Sequence, residues 1–260
     1  HTRLLTVTGV QTCALPISDA SDTERFILID GDNLPDPAFF NQTLVLPDSN
    51  YLSAVFRWRA RNHINGLMYG NGGLSSWTRE FVKNMQTHEA SDGSVETQVE
   101  FCFDPLYWAM HDCFSTTYPN GSAFHAWRAG FREGVKMCLN RGAKPTVEEF
   151  QKRVHSKNLD NLTIWHNIGA DVDYGEWAIC GSRMGTYMTM LTGWDYRQVQ
   201  DFAALADIFK TIENSQPRLV ANQIAEELNV QLDLPMIHMD VEQSEFFKQH
   251  YRSKIGRAHV

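Results

Sequence analysis

The segment Phe26-Ile27-Leu28-Ile29-Asp30-Gly31-Asp32-Asn33 constrains this chain most. Four consecutive apolar residues predict a buried strand of an α/β sheet. The run then stops on Asp, Gly, Asp and Asn, which end strands and offer oxygen ligands. In open α/β sheets, ligands bind just beyond the carboxyl ends of the strands. Residues two apart in an extended segment point the same way, so Asp30 and Asp32 can face one ligand. Carboxylates this close repel each other unless something neutralises them. A hard divalent cation does so, and its charge then dominates the site. The competing reading is a plain turn in which Asp and Asn bond their own backbone. A second Asp-x-Asp, Asp171-Val172-Asp173, follows Gly169-Ala170 rather than a strand and ranks below the first.

Both ends of the chain read as translated sequencing adapter. Val7 to Ile17 back-translates to a stretch containing GACGTGTGCTCTTCCGAT. Ile255 to Val260 back-translates to its reverse complement. Residues 1–18 and 254–260 are therefore set aside as adapter-derived, and residues 19–253 are expected to be a piece of an environmental gene. The chain carries 23 Lys+Arg and 31 Asp+Glu. Without Arg3, Lys254 and Arg257 the balance falls to about −11, which argues against a nucleic-acid binder with a basic face. No apolar run has the length of a membrane span. Cys102, Cys113, Cys138 and Cys180 are widely spaced without a CxxC pair, as expected of buried free thiols.

Along the chain, Ala38-Phe39-Phe40 predicts a short helix after a turn. Tyr51 to Trp58 predicts a second strand, Arg59 to Gly73 a loop, and Thr78 to His88 a helix. Val99 to Phe103 reads as another strand, ending on Asp104-Pro105. Helical periodicity follows. Phe124, Trp127, Phe131 and Val135 share one face of a helix over Phe124 to Leu139. Thr146 with Glu149 makes a capping box after Pro145. Asp201 to Glu213 and Leu219 to Leu228 also predict helices. Arg128, Arg132 and Lys136 form a basic stripe, expected to be a solvated face supported by Glu133. The expected layout is an α/β domain over residues 19–111 and a mainly helical region over residues 112–253.

The stretch Asn65-Gly66-Leu67-Met68-Tyr69-Gly70-Asn71-Gly72-Gly73-Leu74-Ser75-Ser76-Trp77-Thr78 adds a second constellation. Its glycines let a backbone approach a ligand closely, and Ser75, Ser76 or Thr78 can cap the helix that follows. Its interleaved Leu67, Met68, Tyr69, Leu74 and Trp77 favour a pocket wall over a free loop. Trp58, Arg59, Arg61 and Asn62 offer an aromatic face and planar polar groups suited to a sugar, with core burial of Trp58 as the alternative. The sequons at Asn41, Asn120 and Asn161 carry no weight without secretion.

The order of these elements resembles the metal-dependent nucleotide-sugar glycosyltransferases of the A-type fold: apolar strand, Asp-x-Asp, Asn- and Trp-containing stretch, Gly-Gly-aliphatic-Ser, helix, acidic strand end. The loops are also similar to glycosyltransferase-like proteins of tailed bacteriophages. The resemblance covers Phe26 to Asp104. It implies a truncated, Rossmann-like mixed sheet followed by a helical half. It further implies Mn2+ or Mg2+ bound by Asp32, with Asp30 on the metal or the donor ribose, and His166 (His125 second) completing the shell. Gly72 and Gly73, with Trp58 and Asn62, would line the donor sugar. Asp104, or else Glu100, would be the base. The partners implied are a nucleoside diphosphate sugar and a glycan or protein acceptor, in the cytoplasm, the host's if the source is a phage. One departure stands out: only Asp19 to Arg25 precede the strand where the family builds its nucleoside pocket, so weak donor binding is expected. Two rival classes remain, a metal-dependent phosphoesterase and a non-catalytic carbohydrate-binding or virion-associated protein. Convergence of the acids, the Gly-Gly turn and one His on a cleft would favour the transferase.

Overall fold

The apolar run does form a strand, and the acid pair does end it. The computed structural model describes residues 4–7, 21–46, 48–85 and 105–255. These divide into two units, one reaching His63 and resuming over Met68–Tyr118, the other comprising Ile64–Leu67 and the chain from Pro119. The first unit holds β1 (Leu4–Val7), β2 (Arg25–Asp30), β3 (Asn33–Pro35), β4 (Val55–Asn62), β5 (Met68–Thr78), α1 (Arg79–Asn84) and β6 (Tyr107–Thr117). They form one mixed sheet in the order β1-β2-β5-β4-β6-β3. β5 runs antiparallel to both of its neighbours, so β2 and β4 are parallel to each other, and β6 is parallel to β4. β1 lies in the adapter-like segment set aside above, and it pairs with β2 from Leu4↔Ile27 to Val7↔Asp30.

The loop expected over Arg59 to Gly73 is largely strand. Arg59–Asn62 completes β4, and Met68–Gly73 opens β5. Glycine disfavours strands, but β5 is held by β4 at Met68–Gly70 and by both β2 and β4 further on, and its Leu74 and Trp77 are fully buried. Tertiary pairing here overrides local propensity. The second strand begins at Val55, not Tyr51, after a 3-10 turn at Ser49–Tyr51. The short helix at Ala38 is a 3-10 turn over Pro37–Asn41, capped by Asp36. The strand expected at Val99 to Phe103 lies outside the described residues.

Alternation along β4 sorts the two sheet faces. Phe26, Leu28, Val55, Trp77 and Tyr107 pack with Phe81 and Val82 of α1 on one face. Ile27, Ile29, Phe56, Trp58 and Leu74 pack with Phe39 on the other. Thr78 caps α1 by accepting the Phe81 amide at 3.1 Å.

The helical unit starts at Pro119 rather than at residue 112, because β6 stays paired with β4 and β3 as far as Thr117. Its helices are α2 (Ala123–Met137), α3 (Phe150–Arg153), α4 (Ser156–Asn167), α5 (Gly175–Leu191), α6 (Phe202–Lys210), α7 (Pro217–Gln223), α8 (Ala225–Leu232) and α9 (Val241–Ile255). α2 carries the expected apolar face, with Trp127, Phe131 and Val135 wholly buried. The Thr146 hydroxyl accepts the Glu149 amide at 3.3 Å, but the helix after it is only the four residues of α3. The single helix expected over Leu219 to Leu228 breaks at Ile224, between α7 and α8.

The basic stripe divides. Lys136 keeps the expected support from Glu133, 3.7 Å away and part-exposed, whereas the Arg128 and Arg132 guanidinium groups lie 4.6 and 5.2 Å from the Phe202 ring centroid and hold α6 against α2. Asp171 is paired with Lys248 of α9 in a nearly buried ion pair, and the Lys248 ammonium also donates to the Ile64 carbonyl at 3.3 Å. The second Asp-x-Asp thus includes a structural residue. Cys138 and Cys180 are buried free thiols, and Cys113 is half-buried and free. Among the described residues, no helix is long and apolar enough to cross a membrane.

α2 and α5 touch backbone to backbone. A Cβ on Gly130 would sit 1.9 Å from the Ala178 carbonyl oxygen, and one on Gly181 would sit 2.0 Å from that of Trp127. Gly134 and Gly185 make equivalent contacts, each one turn further along its helix. Alanine in place of a helical glycine gains about 1 kcal/mol of helix propensity. Here that gain is outweighed by overpacking against a backbone that cannot yield. Gly181→Ala is therefore expected to lower stability by about 1–3 kcal/mol in urea denaturation. Gly193→Ala, where a Cβ meets nothing within 4 Å, should stay within about 0.5 kcal/mol of the parent.

Candidate functional site

The parallel strands β2 and β4 end on the same side of the sheet, and the site is built there. In β2, Phe26 and Leu28 face α1, so by strand alternation Asp30 emerges from that same face. Both Asp30 and Asp32 are open to solvent. The Asp30 carboxyl is pushed above its ordinary range, first by loss of hydration and then by the neighbouring Asp32 carboxylate. A cation at this pair would relieve both effects. The Asp32 carbonyl accepts the Tyr118 amide at 2.7 Å, which anchors the turn to the end of β6. Asn33 follows, 7% exposed, with neither amide atom hydrogen-bonded within the protein. An orphaned buried amide beside two carboxylates suits a polar ligand or ion.

The sheet register brings the second constellation to the same place. β2 and β5 pair from Arg25↔Thr78 to Ile29↔Leu74. The next residues outward on the two strands are Asp30 and Gly73. The ladder ends at Ile29↔Leu74, so Asp30 and Gly73, more than forty residues apart in the chain, each stand one residue past its last pair. β5 also carries extra residues opposite β4, since Arg57 pairs with Ser75 while Arg59 pairs with Gly70. The intervening segment, which contains Gly72 and Gly73, bulges from the ladder at the site. Of the capping candidates, Thr78 serves. Ser75 accepts the Trp77 indole N–H at 2.7 Å, and Ser76 accepts from Arg25.

Other expected residues fall elsewhere. Trp58 is 7% exposed, set edge-on against Phe39 at 4.8 Å in the core of the opposite face. It is a core residue, not a sugar platform, because alternation turns it away from Asp30. Asn62 is buried at the end of β4 on that opposite face as well. Asp104 and Glu100 lie outside the described residues. His125 stands in the first turn of α2.

His166 is not a metal ligand but a core residue of the helical unit. It is wholly buried in α4, with Nε2 2.9 Å from the Thr186 hydroxyl of α5. Arg183, itself buried, donates to the His166 carbonyl at 3.0 Å. Among the described residues, no three of His, Cys, Asp and Glu come together as a cation site. Asp30 and Asp32 are thus left as an acid pair with no third side-chain ligand among the described residues.

Two residues at the site were not singled out from the sequence. Arg57, on the Asp30 face, lies with its guanidinium 4.7 Å from the Tyr107 ring centroid. His111 of β6 meets the Arg59 guanidinium at 3.0 Å through Nδ1. Alternate arginines at 57, 59 and 61 were the available signal, since period two on a central strand aims all three at one face. Comparison with protein-family models, with curated proteins and with solved structures finds no match to this chain.

Burial drives the pKa of His166 down from 6.5 to about 3, with the Arg183 cation adding to the effect. The unfolded chain takes up this proton near 6.5 and the folded chain does not until about 3. This contribution to stability is complete above that window and is lost as pH falls through it. Urea denaturation across the window should show stability declining with acid, and His166→Gln should flatten the decline. An unchanged slope in the variant would mean that His166 is not the group responsible.

Proposed function

We propose that this chain belongs to a glycosyltransferase that moves a sugar from a nucleoside diphosphate sugar to an acceptor hydroxyl, assisted by Mn2+ or Mg2+. One observation carries the reading: the register of β2 on β5, which makes the Asp-x-Asp end and the Gly-Gly bulge neighbours. A turn that merely ended a strand would not need a glycine-rich bulge beside it.

Asp30 and Asp32 are the proposed holders of the cation, whose chemistry is to offset charge growing on the leaving diphosphate. Their mutual repulsion supports the assignment, because a carboxylate already pushed toward its neutral form gains most from a neighbouring positive charge. Gly72 and Gly73 leave room for the donor sugar against the backbone. Asp104, with Glu100 as the alternative, is the proposed acceptor of the hydroxyl proton in an inverting transfer. The acceptor is a glycan or protein, and the cytoplasm, where such donors are made, is the proposed setting.

The test, made in the whole enzyme to which the chain belongs, is release of nucleoside diphosphate from a panel of donor sugars, with and without Mn2+. Asp32→Ala is expected to lower metal-dependent turnover by at least about a hundredfold while leaving the thermal melt unchanged, as suits an exposed residue. Full turnover in the variant overturns the assignment.

A further inference from the structure

We infer that Arg57 and Arg59 form a strip that binds a ligand with two adjoining phosphate groups, on the sheet face that carries Asp30. Its identification with a donor diphosphate rests on the function proposed above; the anion site itself does not.

The register sets the geometry. Leu28, Ser75 and Arg57 lie in one row across β2, β5 and β4. Because β2 and β4 run parallel, two residues onward along each strand reaches Asp30 and Arg59. Strand alternation puts Asp30, Arg57 and Arg59 on one face, and Arg57 and Arg59, two residues apart on β4, stand about 6.6 Å apart along the strand. A phosphate pair spans that separation, with one guanidinium to each phosphate group.

Arg57 and Arg59 are both half-buried among small cross-strand neighbours. Arg57 is flanked by Ser75 and Ala109, and Arg59 by Gly70 and Cys113. These neighbours are small, so the longer arginines stand above them. Among the described residues, no carboxylate pairs with either guanidinium: Arg57 rests on the Tyr107 ring, and Arg59 bonds His111. In that second bond the guanidinium donates and the His111 Nδ1 accepts. The Arg57 Nε is buried without a hydrogen-bond partner. Two guanidinium groups on one face of an interior strand, neither paired with a carboxylate among the described residues, are what an anionic ligand completes. The planar fork of arginine matches phosphate oxygens two at a time.

Calorimetry with inorganic pyrophosphate in EDTA tests this directly. Binding to the parent is expected, weakened at least about tenfold by Arg59→Gln and further by the Arg57→Gln/Arg59→Gln pair. Orthophosphate and sulfate at matched ionic strength should bind more weakly than pyrophosphate. Circular dichroism confirms that the variants fold, and Arg59→Lys, which keeps the charge but loses the fork, should fall between parent and Arg59→Gln. The inference is overturned if the parent does not bind pyrophosphate, if the double variant binds it undiminished, or if sulfate binds equally well. The two readings fail separately. Arginine-dependent pyrophosphate binding without metal-dependent turnover of any donor removes the transferase and leaves the strip. Turnover that needs Asp32 but is indifferent to both arginines does the reverse.

Discussion

The α/β sheet depends on a strand that local propensity would not have built. β5 contains three glycines in four residues, yet it is the one strand that joins β2 to β4. Its second half pairs with β2 on one side and β4 on the other, and Leu74, Ser75, Ser76 and Trp77 anchor that half in the interior. The glycine-rich first half is then free to depart from regular pairing where β2 ends. The same strand therefore supplies cohesion at one end and a glycine-rich bulge at the other. The acid pair owes its neighbours to this arrangement, since register, not chain proximity, brings Asp30 beside Gly73.

The helical unit rests on a different economy of space. α2 and α5 each present two glycines four residues apart, and the four interlock against opposing carbonyl groups. Such close approach leaves α5 enclosed enough to bury an arginine. Arg183 is satisfied by the carbonyls of His166 and Ala221 and by the side chains of Asn167 and Asn222. Neutral acceptors carry the whole coordination of that cation, and desolvation lowers its pKa to about 10. Burial first, and the same cation second, keep His166 neutral; its aromatic sequence context marked a core position rather than a ligand.

Much of this organisation was legible in the residues. The strand at Phe26–Ile29, the cap at Thr78, the buried face of α2 and the free thiols all follow from local pattern. The site was legible as two motifs, though not as one place, because cross-strand register is a long-range property. β5 read as a loop for the same reason. α5 went unread because its glycines and polar residues blur helical periodicity, and only a partner helix gives them a purpose. Trp58 and Asn62 were misjudged by face: alternation along β4 sends them to the side opposite Arg57 and Arg59, and the strand's true start at Val55 fixes that parity.

Lys248 has a consequence for the helix that carries it. Its ammonium and the Asp171 carboxylate are both largely withdrawn from water, and the Ile64 carbonyl shares the charge. Removing one member of a buried pair typically costs about 3–5 kcal/mol, because the other is stranded without hydration. Gly66 turns with a positive φ directly over the Lys248 stem, 3.2 Å from where a Cβ would stand. α9 is thus a keystone rather than a tail: unseating it would expose a lone acid in the interior, so the helix is bound to the cooperative unfolding of the unit instead of fraying ahead of it.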